Sequence, residues 1–183
     1  MRRPELIEFN EFGKVTKHTR GYIDGCFDLC HAGHYNAVRQ AASLTDNLVF
    51  GLNSDAEILA NKGPPVMNGE ERMKLVRACK WVKESQPDTP YTVTEKVLEQ
   101  YECDFYLHGD DPCINSDGID ICQELSKIGK FKVFKRTSGV STTGLTGKLL
   151  RLFDSPEEKK LRSRDIPKQQ FLQTSSKIAY FSN

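Results

Sequence analysis

Short β-branched and aromatic runs alternate with segments of helical period along most of the chain, and no other feature constrains the fold so tightly. The runs are 21–24, 47–53, 81–85, 104–108 and 132–136. Between them stand helix-start signals: Ser54 with Glu57, Asn68 with Glu71, and Thr92 with Glu95. In each pair a capping side chain takes a backbone N–H three residues on and the carboxylate there reaches back. The segment 119–128 closes at Gly129, suited to a left-handed cap, and a last helix is expected over 142–153. A strand that crosses through a helix to the next strand returns parallel to it. The expected fold class is therefore α/β, a five-stranded parallel sheet with helices on both faces.

A chain of 183 residues supports one domain with its own core and a short appendage. The boundary is expected after Phe153, where the composition turns charged and proline-bearing: 1–153 reads as the domain proper and 154–183 as a linker or docked tail. The apolar closing stretch FLQTSSKIAYFSN suits docking onto the domain or leading into further chain. Twenty-six Lys and Arg against 25 Asp and Glu leave a net charge of +1, so no chain-wide field exists to hold nucleic acid or an anionic membrane. Any anion must be gripped locally. No apolar run approaches the roughly 20 residues that span a bilayer, and no leader follows the amino-terminal arginines, so a cytoplasmic protein without a membrane anchor is expected. Its six cysteines are then expected as free thiols.

The segment 23–34, IDGCFDLCHAGH, runs from a strand through a turn into a helix and sets His31 and His34 on one face of its first turn. A helix start offers unpaired N–H groups and the positive end of a dipole, so two imidazoles added there make a socket for phosphate oxygens. Gly33 between them lets another group approach the backbone. Cys26, Cys30, His31 and His34 are all potential zinc ligands, but zinc sites normally draw on two separated pairs, and no metal is expected here. A second loop-to-helix junction, RTSGVSTT at 136–143, brings Arg136, hydroxyls and backbone N–H groups to another anion nest.

In company these segments resemble a known family. GCFDLCHAGH and RTSGVSTT are similar to the two signatures of the cytidylyltransferases among the HxGH nucleotidyltransferases, in the same order. NKGPPVMNGEER, 61–72, resembles the family's lysine-bearing loop and the helix after it. DFYLHGDD, 104–111, and FLQTSSKIAYF resemble the branch that acts on phosphoethanolamine, the latter as the segment following its first catalytic half. The resemblance runs from about residue 18 to the end, to a unit that in the family usually continues into a second, similar half. One departure is Lys83, where the family carries an aspartate in a segment tied to the contact between catalytic units.

The resemblance implies a Rossmann-like nucleotidyltransferase fold and transfer of a cytidylyl group from CTP to phosphoethanolamine, giving CDP-ethanolamine and pyrophosphate. It implies catalytic roles for His31, His34, Lys62 and Arg136, with Lys62 reaching the phosphates of both substrates. The CTP contacts it implies are Gly25, Cys26, Phe27, Asp28 and His108, together with Arg136, Thr137, Ser138, Gly139, Ser141 and Thr142; Asp28 serves equally well as a helix cap. For phosphoethanolamine it implies Lys62, Tyr91, Gly109 and Asp110, where a core tyrosine and a solvated acidic loop are the plain alternative. Mg2+ is expected to arrive with CTP, and the partner is expected to be a second copy or a second cytidylyltransferase-like half. Phosphocholine or glycerol-3-phosphate as the acceptor, and a non-catalytic nucleotide-binding half, are the competing expectations.

Overall fold

A computed structural model of the chain describes residues 8–9, 15–16, 19–115 and 118–153. A short antiparallel pair, β1 (Glu8–Phe9) and β2 (Val15–Thr16), precedes the main sheet. That sheet holds β3 (Arg20–Gly25), β4 (Asn47–Asn53), β5 (Glu84–Thr89), β6 (Phe105–Gly109) and β7 (Phe131–Phe134), all parallel, in the order β5-β4-β3-β6-β7. The crossovers are α1 (Ala32–Ala42), then α2 (Asp55–Asn61) with α3 (Gly69–Arg77), α4 (Glu95–Gln100) and α5 (Ile121–Lys127). The expected five-stranded parallel α/β sheet is present.

Two-residue alternation along the central strands divides the core into two layers. Ile23, Leu48, Phe50, Phe105 and Leu107 face one side, where they pack with Val38 and Ala41 of α1 and Met73 and Val76 of α3. Their neighbours Tyr22, Val49 and Tyr106 face the other, against Val97 and Leu98 of α4 and Cys122 and Leu125 of α5. Helices thus cover both faces. Gly129 takes φ of +72°, the left-handed cap that its position after the helix suggests.

Two expectations shift. The third run, placed at 81–85, forms β5 at 84–89 instead. Trp81 and Val82 are half-buried against the core, in a turn closed by Val82 N–H donating to the Cys79 carbonyl, and the strand proper is the polar Glu84–Thr89. Pro87 fits there because β5 is an edge strand, where one ladder donor is dispensable. The Thr92–Glu95 cap does not form: Thr94 is the N-cap, Glu95 is the first helical residue, and its carboxylate pairs with Lys130 at 2.6 Å. Asn68 and Glu71 make the full reciprocal box, whereas Ser54 caps α2 alone and Glu57 turns to the Tyr91 N–H.

Contacts within the chain divide it into two units, Met1–Thr142 and Thr143–Asn183, and α6 (Thr142–Phe153) starts at their boundary. The proposed tail, 154–183, lies outside the described residues. Among the described residues no helix is long and apolar enough to cross a membrane.

Gly51 in β4 marks the tightest place in the sheet, since a Cβ there would stand 1.9 Å from the Tyr22 hydroxyl on β3. Gly51→Ala is expected to lower stability by about 1–3 kcal/mol in urea unfolding through overpacking, and Tyr22→Phe in the same chain to recover part of the loss.

Candidate functional site

Open parallel sheets bind ligands beyond the carboxyl ends of their strands, where the strand order reverses. Here the reversal falls between β3 and β6, whose pairing covers only Gly21 with Phe105 and Tyr22 with Tyr106. Past that point the strand ends carry Asp24 and Gly25 on one side and His108 and Gly109 on the other. Asp24 joins them: the Tyr106 hydroxyl donates to Oδ1 at 2.7 Å and Asn53 Nδ2 to Oδ2 at 3.4 Å. Burial pushes the Asp24 carboxyl up, against the pull of the Tyr106 hydrogen bond and of His108 and Lys62.

The two histidines build the start of α1. His31 is the N-cap, with Nδ1 accepting from Gly33 N–H at 3.1 Å, and His34 Nδ1 accepts from His31 N–H at 3.3 Å. An imidazole does here what Ser and Glu do in an ordinary reciprocal cap. Both Nδ1 atoms are acceptors, so each neutral ring carries its proton on Nε2, away from the helix end. The rings lie 4.1 Å apart, centre to centre. Gly33 is what permits this: a Cβ there would meet His31 Cε1 at 2.9 Å, so the group the glycine admits is the histidine's own ring. His34 packs on Phe27, and burial, with the charges of His31, Lys62 and Arg136, lowers its pKa to about 4.

Lys62 caps the end of α2, and its Nζ stands 5.5 Å from the centre of the Tyr91 ring, so two residues expected to share a substrate do meet. Burial works against its charge, but the Cys26 thiol and Tyr91 hydroxyl work for it, and its pKa is raised. Asp28 is not the helix cap. Its carboxylate accepts from Val66 and Met67 N–H at 2.8 and 2.9 Å, pinning the segment after Lys62 to the histidine turn.

Arg136 is held by two aspartates: its N–H donates to Asp110 Oδ1 and its guanidinium to Asp111 Oδ2, each at 2.9 Å. Gly109 makes room, since a Cβ there would lie 2.6 Å from Asp111 Oδ1. The Asp110 carboxylate, expected to face an ammonium, thus has the Arg136 backbone as its partner. Thr137 accepts from Asn36 Nδ2 at 2.8 Å, Gly139 takes φ of +75° ahead of Ser141, and Thr142 Oγ1 lies 3.5 Å from His31 Nε2. The second signature therefore folds onto the helix that the first one starts.

The set Cys26, Cys30, His31 and His34 does not converge as metal ligands. Cys30 Sγ donates to the Phe27 carbonyl and burial pushes its thiol up to about 11. Among the described residues the donors that do meet are His108, Cys113 and Cys122. Sequence reasoning also passed over Arg72, fully buried, whose guanidinium reaches the carbonyls of Cys26, Asn53 and Met67 and the Asp55 carboxylate. Its position beside Met73 and four residues before Val76, on the buried face of α3, was the available signal.

His34 should remain neutral in the folded protein until about pH 4, while an unfolded imidazole gains its proton near 6.5. Protonation thus favours the unfolded chain, and stability should fall as the pH drops from about 6.5 towards 4. Long-range 1H–15N spectra should show both rings as the Nε2–H tautomer at neutral pH; Nδ1–H signals would contradict the capping geometry.

Comparison with known proteins agrees with this arrangement. A model of the cytidylyltransferase-like family matches residues 22–163. The chain is 54% identical over 134 residues to an ethanolamine-phosphate cytidylyltransferase of Dictyostelium discoideum, covering 73% of this chain and 37% of that protein. It is 46% identical over 159 residues to the Arabidopsis thaliana protein of the same name, covering 85% of this chain and 38% of the relative. The chain thus spans less than half the length of these relatives. Among solved structures, a lipopolysaccharide core biosynthesis protein from Thermoplasma volcanium shares the fold, with a TM-score of 0.53 at 21% identity over 66% of this chain and 97% of that one. The two signature loops, folded together over the switch point of a parallel sheet, are what the matched segment contains, and the chain belongs to the cytidylyltransferase-like family.

Proposed function

We propose that this chain transfers a cytidylyl group from CTP to phosphoethanolamine, releasing pyrophosphate. The observation that carries it is the reciprocal histidine cap, which leaves two Nε2–H donors at the start of a helix facing the Arg136–Thr142 loop. A phosphate oxygen of phosphoethanolamine attacks the α-phosphorus of CTP, and the bond to the bridging oxygen of pyrophosphate breaks. Both reactants are anions, so the protein's task is to hold them together and to stabilise charge on the leaving group. His31 and His34, preoriented through their Nδ1 atoms, donate to triphosphate oxygens; Lys62 and Arg136 supply the positive charge. Thr137, Ser138, Gly139, Ser141 and Thr142 add hydroxyl and backbone donors, and Gly25, Cys26 and Phe27 form the turn against which the nucleotide lies. Asp28 acts on CTP indirectly, by holding the segment after Lys62.

Mg2+ enters with CTP and offsets triphosphate charge. The donors that meet among the described residues are sulfur and nitrogen, which do not fit the oxygen ligands Mg2+ prefers, so the ion would be carried by the oxygens of CTP. The names of the relatives favour phosphoethanolamine as acceptor. Tyr91, beside Lys62, is the aromatic wall of that pocket. The reaction is assigned to the cytoplasm, in keeping with free cysteines. The unit pairs with a second copy or a similar half, a contact that exposed Lys83 weakens by like-charge repulsion.

Replacing either histidine by Ala should lower kcat by about 10²–10³-fold, the usual cost of one preoriented donor. His31→Ala also removes a cap, at about 1 kcal/mol of stability. His31→Asn keeps a capping acceptor and loses Nε2–H, so it should recover the melting temperature without the turnover; recovery of both would sink the donor role. Wild type should show a higher kcat/KM with phosphoethanolamine than with phosphocholine. Gly109→Ala tests whether loss of that preference in Gly109→Asp reflects charge or only displacement of Asp111; equal effects would remove Gly109 as a charge discriminator. Sedimentation velocity should show a dimer of this unit, and Lys83→Asp should tighten it; a strict monomer at high concentration contradicts the pairing.

A further inference from the structure

At the far side of Asp24 from the histidine turn, three soft donors converge. The ligand atoms of His108, Cys113 and Cys122 lie within 4.8 Å of one another, with Cys122 buried and the other two half-buried. They come from three different pieces of backbone: the end of β6, the loop after it, and the first turn of α5. The convergence is built in. Ile121 N–H donates to the Cys113 carbonyl at 2.9 Å, Ile114 bridges Asp120, and the Asp120 side chain caps α5 through Cys122 and Gln123 N–H. Cys113 is thereby held opposite Cys122.

We propose that His108, Cys113 and Cys122 bind a zinc-class divalent metal ion, with water in the fourth position. Zn–S bonds of about 2.3 Å and Zn–N bonds of about 2.0–2.1 Å set tetrahedral ligands roughly 3.3–3.8 Å apart, so donors now within 4.8 Å close by at most about 1.5 Å. Two thiolates and one neutral imidazole around a dication leave no net charge, which suits a half-buried place. Two thiol protons leave as the metal enters. The second shell is present as well. His108 Nδ1 donates to the Gly109 carbonyl at 3.2 Å, which fixes the tautomer and frees Nε2 as the metal ligand. Soft ligands separate this site from the Mg2+ carried by CTP.

The assignment takes His108 away from the nucleotide and gives it a brace to hold. The metal ties the end of β6 to the start of α5, and the loop between them carries Asp110 and Asp111, the partners of Arg136. The site is thus a clasp behind the arginine that grips phosphate.

The test uses the full chain with Zn(II) and Co(II) as probes, under reducing conditions. Wild type should bind one equivalent of either after chelator treatment, and Co(II) should give thiolate charge-transfer and tetrahedral visible bands. X-ray absorption of the zinc form should show two sulfur neighbours with the remainder nitrogen or oxygen, a result that depends on no variant. Cys113→Ser and Cys122→Ser should each weaken the charge-transfer band, and together abolish it along with the rise in melting temperature on adding zinc. Wild type with no cobalt–thiolate band would overturn the proposal. So would a Cys113–Cys122 disulfide that persists in zinc-containing reducing buffer, or uptake lost in Cys30→Ser but kept in the double variant.

Discussion

A fully buried guanidinium holds the working end of this sheet together. Arg72 sits on the inner face of α3 and donates to the carbonyl of Cys26 in the histidine turn, to that of Asn53 at the end of β4, and to that of Met67 in the segment after Lys62. Its charge is answered by Asp55 at the start of α2, whose carboxyl it holds below its usual range. Taking a charge out of water costs several kcal/mol unless every donor is met, and here the main-chain oxygens of three separate segments meet them. Two of those segments are the turn from Cys26 to His31 and the stretch that follows Lys62. Asp28 repeats the device from the other direction, with a carboxylate on the backbone N–H groups of Val66 and Met67.

With the frame fixed, the histidines serve structure and chemistry through different nitrogens. Each Nδ1 completes the backbone at the start of α1, which orients the ring and leaves Nε2–H directed outward. Burial and neighbouring positive charge keep His34 neutral, so its ring carries no charge that Lys62 and Arg136 would repel. The positive charge lies instead on long side chains at the rim, where aspartates hold Arg136 and an aromatic ring and thiol flank Lys62. Two glycines matter for the same steric reason: Gly33 makes space for the His31 ring and Gly109 for the Asp111 carboxylate.

Much of this was legible in the chain as written. Period-two runs located the strands, except at β5, whose polar sequence forms a ladder only because β4 offers it an edge. Capping signals located α2, α3 and the end of α5, and failed at α4 because Glu95 had a stronger partner in Lys130. The two signature segments marked His31, His34, Arg136 and Thr142 as belonging together. Arg72 is an ordinary-looking arginine in a charged helix, marked only by its place beside Met73 and Val76, and the meeting of His108, Cys113 and Cys122 follows no short metal-binding pattern.

The sequence by itself determined the alternating layers, the parallel sheet and the capped starts of α2 and α3, since each depends on residues a few positions apart. Only the tertiary structure decided which segments face one another across the switch point. There Asp110 and Asp111 turn to Arg136, Asp28 to the segment after Lys62, and His108 to two cysteines. The physical reason is range: periodicity and capping are set by bonds and sterics within a turn or two of backbone, whereas a buried charge or a cluster of thiols finds its partners only after strands have crossed and packed. Asp110 and Arg136 are 26 residues apart and Asp28 and Val66 are 38, separations that leave no local trace.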